Sequence, residues 1–219
     1  MRTDTLPDGS RGFDANRPIS AADAAAFVAK GFTFAIRYVR RQQEHDYDLS
    51  VSERDAVLGA GLGLMIVQHV APDGWVPTGA DGTLYGGTAV DALGKLGIPA
   101  NVSVWLDLEG VKDGTPHQDV IDFCNNWFDV VDAIGYTPGL YVGFGCGLTP
   151  DELYHALKFA HMWSAYNLDA DQFPAVRGVQ MRQSVAKASD LIPGFTNQNM
   201  DVDRIGPDAL GGTPTLLFA

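Results

Sequence analysis

Residues 102–110 read Val-Ser-Val-Trp-Leu-Asp-Leu-Glu-Gly. The run has the apolar, β-leaning character of a buried strand, yet it carries Asp107 and Glu109 two residues apart. Side chains at i and i+2 of a strand share a face. Both carboxylates therefore leave on one side, while Val104, Leu106 and Leu108 mark the other as packed against helices. Burying charge without compensation costs more than a domain can spare. Two acids on one face of a core element need a reason.

Strand-like runs alternate with helix patterns around this stretch. RGFDA (11–15) is a first short strand. Ser20 then caps a helix, with Asp23 in the reach-back position and Gly31 as the stop. TFAIRYV (33–39) is the second strand, and Ser50 with Glu53 three residues on predicts a capping box at the next helix. GLMIVQHV (63–70) is the third strand, followed by a Gly- and Pro-rich loop and a helix near 83–96. The quoted run is the fourth strand. After it, Val120, Phe123, Cys124, Trp127, Phe128, Val131 and Ile134 recur at helical spacing, which predicts a long amphipathic helix. PGLYVGF (138–144) is the fifth strand. Thr149, Pro150, Asp151 and Glu152 open a helix running to about Lys158.

The rhythm then changes. FAHMWSAY (159–166), AVRGVQMRQ (175–183) and NMDVDRI (199–205) read as three strands with no helix pattern between them. The alternation predicts a parallel sheet. Eight strands with about five helices predict a single α/β domain over 1–219, a TIM-like (β/α) barrel lacking the helices after strands six and seven. The Asn167–Pro174 connection is too short for a crossover helix, so strands six and seven need not run parallel.

Composition narrows the partners. The 219 residues carry a net charge of −12, a field that repels nucleic acid and anionic membranes. No apolar run reaches the ~20 residues of a membrane span. The polar start, MRTDTLPDGSRG, lacks the apolar core of a signal peptide, which suggests a non-classical export route or a phage origin. Two cysteines, Cys124 and Cys146, are not a disulfide framework and read as small core residues. A monomer without cofactor is expected.

Functional groups of an α/β barrel sit at the C-terminal strand ends. Strand one ends in Asp14, strand four in Asp107 and Glu109, and strand eight holds Asp201 and Asp203. Closure sets strand one beside strand eight, so five carboxylates converge on the mouth. Such a cluster suits glycosidic cleavage or a divalent metal. The five histidines show no metal-ligand spacing, and there is neither a phosphate loop nor a nucleophile elbow. His69, ending strand three, reads as a buried, hydrogen-bonded residue. Tyr38, Trp105, Tyr141, Trp163 and Tyr166 lie on strands or just past them. Trp105 and Tyr141 read as core, Tyr166 as part of a site.

These residues carry a resemblance. G-F-D at 12–14, L-D-L-E at 106–109, M-W-S-A-Y at 162–166, V-Q-M at 179–181 and M-D-V-D at 200–203 resemble the family 25 glycoside hydrolases. Those are lysozymes that cleave the N-acetylmuramic acid linkage of peptidoglycan. The chain is still more similar to the glycoside-hydrolase-like domain of unknown function 1906, in which Arg37-Tyr38 and V-Q-H at 67–69 recur. The resemblance implies a barrel of eight strands and five helices, with Glu109 as general acid. Asp107 would stabilise the reacting 2-acetamido group, and Asp14 and Asp201 would complete the acidic ring. It implies that Trp163, Tyr166, Gln180, Tyr38, Arg37 and Asp203 contact substrate, a bacterial cell-wall glycan. Strand seven reads Val179-Gln180-Met181 where the lysozymes carry W-Q-Y, so an aromatic wall is missing. Two rivals stand beside hydrolysis: a barrel that binds the glycan without cutting it, and a metal-dependent hydrolase.

Overall fold

The computed structural model describes residues 1–166, 179–206 and 212–219. At its centre eight strands close into a barrel: β2 (Arg11–Ala15), β3 (Phe34–Val39), β4 (Gly63–Gln68), β5 (Ser103–Leu108), β6 (Thr137–Val142), β7 (His161–Ser164), β8 (Met181–Val185) and β9 (Met200–Ile205). β4 pairs with both β3 and β5, which shuts the ring. Among the described residues five helices cover it: α1 (Ala21–Ala29), α2 (Val51–Gly59), α3 (Gly79–Lys95), α4 (His117–Asp132) and α5 (Pro150–His155).

Local chemistry explains most helix ends. Ser20 with Asp23 and Thr149 with Glu152 form reciprocal capping boxes. At Ser50 only half of the expected box exists. Its hydroxyl accepts from the Glu53 amide, but the Glu53 carboxylate turns into the protein to meet Arg37. α3 starts four residues earlier than 83, because Thr78 caps it. α5 stops at His155, short of Lys158. α3 and α4 approach closely: a Cβ on Gly82 would stand 2.1 Å from the Phe123 carbonyl oxygen.

The strands run parallel from β2 to β8, including β7 with β8, where Trp163 faces Met181. The exception is β9, antiparallel to both β8 and β2. No helix lies between Val185 and Met200. A chain that leaves β8 at the mouth, with no crossover helix to carry it back, re-enters from the mouth. The Asn167–Pro174 connection lies outside the described residues, as do the first four residues of the strand expected at 175–183.

Two further strands had no counterpart in the sequence pattern. β1 (Arg2–Thr5) and β10 (Thr215–Phe218) pair antiparallel, and β10 also joins β4 at Leu217 and Leu64. The Thr215 amide donates to Ser103 Oγ at 2.9 Å. β10 is thereby wedged between the starts of β4 and β5. Leu216, fully buried, seals the barrel floor in one cluster with Phe34, Ile36 and Met65. Trp105, Trp163, Met181 and Ile205 belong to this inner cluster, while Ala35, Val39, Val104 and Leu106 pack outward with the helices. A fully buried side chain of this kind stabilises by roughly 1.5–3 kcal/mol. Among the described residues no helix is long and apolar enough to cross a membrane.

Candidate active site

Asp14 and Asp201 face each other in the antiparallel β2–β9 register, and Asp203, opposite Gly12, lies two residues deeper. Because β9 enters from the mouth, its first acid is the outer one. Asp107 comes from β5, and Glu109 follows just past that strand's end. Burial raises the pKa of all five. The charge of Glu109 and then of Asp14 adds to the rise at Asp107, which is well above the usual range. The charges of Asp14 and Asp73 add to it at Glu109. Asp201 is pushed up to about 7 by burial and then by Asp14. Asp203 also rises well above its ordinary value, through burial and then Asp14. Asp14 is raised by burial, against the opposing effect of hydrogen bonds from Gln183 and Tyr38. The strongest push thus falls on Asp107 and Asp203.

A hydrogen-bond network holds the ring. Tyr38 donates its hydroxyl to Asp14 Oδ1 at 3.1 Å, and Gln183 Nε2 donates to Oδ2 at 2.9 Å. Tyr141 donates to Gln183 Oε1 at 3.0 Å, and Trp163 Nε1 to Asp203 Oδ1 at 2.9 Å. Burial and the acids keep both phenols protonated, and therefore donors. Asp107 Oδ1 and Asp201 Oδ1 are shielded from solvent with no donor among the described residues.

Glu109 stands at the edge of this ring. It lines a cleft of about 400 Å³ with Val70, Ala71, Pro72, Asp73, Gly110 and Phe144. Trp75 Nε1 anchors its carbonyl at 2.9 Å. Its carboxylate rests over Gly143, where a Cβ would stand 2.3 Å from Oε2. The side chain fits because β6 is followed by a residue with no side chain.

The other expected residues divide. Tyr38 belongs to the ring. Trp163 is 1% exposed and packs edge-on against Tyr141, so it supports the site from beneath and presents no open face. Tyr166 is 52% exposed and stands two residues past the end of β7. Asp203 and Gln180 are fully buried, and Gln180 immediately precedes β8. Arg37 is a correction. It alternates with Ile36 and Tyr38, so it points out of the barrel, fully buried beneath α2. There it meets Glu53 at 2.5 Å and donates to the carbonyls of Ala15 and Tyr47. That position keeps it from any sugar in the mouth.

Gln183 was missed, and so was the site role of the Tyr141 hydroxyl. Strand parity could have found Gln183, because Met181 and Gln183 share the inward face. His69 is hydrogen-bonded, with Nε2 2.9 Å from Asp48 Oδ1. Cys124 and Cys146 are buried free thiols. Among the described residues no three His, Cys, Asp or Glu side chains are placed to hold a metal ion.

The chain belongs to the Rv2525c-like, glycoside hydrolase-like domain family, whose model matches residues 25–199. No curated protein matches it. Its structure is similar to that of the Tat-secreted protein Rv2525c of Mycobacterium tuberculosis in complex with L-tartrate, with TM-score 0.67 and 16% identity over 92% of this chain and 98% of that one. It is similar to a bacterial lysozyme from Streptomyces coelicolor, with TM-score 0.63 and 14% identity over 94% and 95%. The modular autolysin LytC from Streptococcus pneumoniae, in complex with a synthetic peptidoglycan ligand, matches with TM-score 0.58 and 11% identity over 90% of this chain and 46% of that one. At these identities the likeness shows the fold, a lysozyme-like (β/α) barrel.

Proposed function

We propose that this member of the family hydrolyses a glycan, bacterial cell-wall peptidoglycan, with Glu109 as general acid. The observation that carries the reading is the state of Glu109: it lines the open cleft, and burial together with the charges of Asp14 and Asp73 raises its pKa. A general acid must hold a proton near working pH and still reach the leaving oxygen. Asp107 and Asp203 are raised further and hold their protons too firmly to release them, and Asp203 is fully buried.

Glu109 protonates the glycosidic oxygen as the bond breaks. Asp107 orients the 2-acetamido group that attacks the anomeric carbon, the role that the family resemblance implies for it. If water attacks instead, Asp201, part-exposed and titrating at about 7, is suited to act as base. Asp14, held by Tyr38 and Gln183, keeps the ring in place. The protein acts as a monomer outside the membrane, at the cell wall. The Tat-secreted and peptidoglycan-bound neighbours support that location.

A second reading, a barrel that binds the glycan without cutting it, is favoured by Met181. Fully buried, it stands where the lysozymes carry an aromatic wall. Release of reducing ends from purified peptidoglycan separates the two. Turnover in wild type that collapses in Glu109→Gln supports hydrolysis. Binding with no turnover in either protein supports the second reading.

A further inference from the structure

The cleft of Glu109 does not end at Pro72. Val70, Ala71 and Pro72 also line a second hollow of about 430 Å³. Arg41, Gln42, Gln43, His45, Tyr47 and His69 line it. A run of stacked rings connects the two. Tyr38, which donates to Asp14, stacks on His69 at 4.8 Å between ring centroids. Tyr47 meets His69 edge-on at 5.4 Å and stacks on His45 at 4.8 Å.

The second hollow is lined by a cation where the first is lined by acids, with Asp48 behind it on His69 Nε2. Burial holds the His69 imidazole below its ordinary pKa, so Arg41 is the permanent cation. Its neighbour Arg40 is paired with Asp91, but Arg41 has no such partner among the described residues. The Arg41 guanidinium lies 5.4 Å from the Tyr85 ring centroid, with neither Nε nor Nη1 hydrogen-bonded among the described residues. Thr88 Oγ1 fixes the Arg41 carbonyl at 2.7 Å. An unpaired, shielded guanidinium is costly, and a planar carboxylate is the group its donors match. In the acidic mouth the same carboxylate would meet Asp14, Asp73 and Asp107. The volume is within the range of small-ligand sites, and the flat rings of Tyr47 and His45 offer a face for a sugar.

We propose that this hollow is an accessory subsite for a carboxylate-bearing unit of the glycan, with Arg41 donating to the carboxylate while the rings hold the sugar. The inference rests on the glycan-hydrolase reading and adds the substrate class to it: an acidic glycan, spanning both hollows.

The test is calorimetric titration of the full chain, carrying Glu109→Gln to stop turnover. The ligands are a tetrasaccharide of alternating N-acetylglucosamine and N-acetylmuramic acid with free carboxylates, the same compound with its carboxylates amidated, and its peptide-bearing form. The free acid should bind about tenfold tighter than the amide, the scale of one charge-assisted hydrogen bond. Adding Arg41→Gln should erase that preference and leave affinity for the amide unchanged. A preference seen only with the peptide-bearing ligand, and lost in Arg41→Gln, supports the subsite and assigns the carboxylate to the peptide. Equal binding of acid and amide before Arg41 is changed overturns the subsite whether or not the variant folds. So does an Arg41→Gln variant that weakens both ligands alike. In either case hydrolysis by the parent chain leaves the wider reading standing. If no ligand binds and the parent releases no reducing ends, both fall together.

Discussion

Glu53 and Asp107 are equally buried, each 6% exposed, on opposite sides of one barrel wall. Outside β3, Glu53 Oε1 accepts from Arg37 Nε at 2.5 Å and from the Ile19 amide at 2.8 Å. Inside β5, Asp107 has Glu109 and Asp14 as charged neighbours, and no donor reaches its Oδ1 among the described residues. Burial alone therefore does not mark a functional acid. A buried carboxylate surrounded by donors belongs to the scaffold. One surrounded by like charge is held there by the rest of the fold, and its cost is the kind that active sites carry.

The sharpest way to break this contrast is to change the mouth and look only at turnover. Glu109→Gln should cut release of reducing ends by ~10²–10⁴, the usual worth of a positioned general acid. Its melting temperature should hold or rise, since the change replaces a group that can ionise beside Asp14 and Asp73 with one that cannot. Full turnover in the variant would remove Glu109 from its role. The opposite experiment belongs to the outer site. Arg37→Ala leaves Glu53 buried without its cation, and breaking a buried pair costs about 3–5 kcal/mol. Urea unfolding should show that loss, while turnover per folded molecule stays near wild type. A large fall in turnover at full stability would return Arg37 to the substrate site.

Gly143→Ala probes position without touching a charge. The new Cβ collides with the Glu109 carboxylate and displaces it, and a shift of ~1 Å in a catalytic group can cost roughly 10²-fold in rate. An unaltered rate would show that Glu109 works from another position. The smallest effect is the pH dependence of stability. A carboxyl whose folded pKa is raised binds its proton in the native state after the unfolded chain has released it. Its contribution is complete below the unfolded value and is lost as pH rises through the folded one. For Asp201 that window runs from about 4, its free value, to about 7. Stability should therefore decline across this range with a slope that Asp201→Asn flattens. His69, held down by burial, acts in the opposite direction, so the informative quantity is the difference between wild type and variant. Parallel stability curves for the two proteins would contradict the upward shift.

Much of the barrel is readable because its signals are local. The period of two in 102–110 separates Leu106 from Asp107, and Ser20 and Thr149 each start a helix with their own side chains, while the Thr78 cap went unread. The same parity brings Asp107 to the inner face. It assigns Arg37 to the outer face as well, since Arg37 alternates with Ile36 and Tyr38, although the motif resemblance pointed to the substrate. Tyr141 was harder to read: its ring packs in the core while its hydroxyl reaches the site, a division within one side chain that burial patterns do not express.

What the sequence determined by itself is the order of strands and helices, the closure of eight strands, and which strand ends carry acid. These follow from hydrophobic period and capping chemistry, whose range is a few residues. The tertiary structure alone decided the direction of β9, the floor made by Leu216, the pairing of Arg37 with Glu53, and the Gln183 amide on Asp14. Each of these joins segments that no local pattern relates: Arg2 pairs with Phe218, and Gln183 reaches Asp14 across 169 positions. Whether a buried acid is neutralised, hydrogen-bonded or left beside like charge depends on those distant partners. They meet only once the ring is closed.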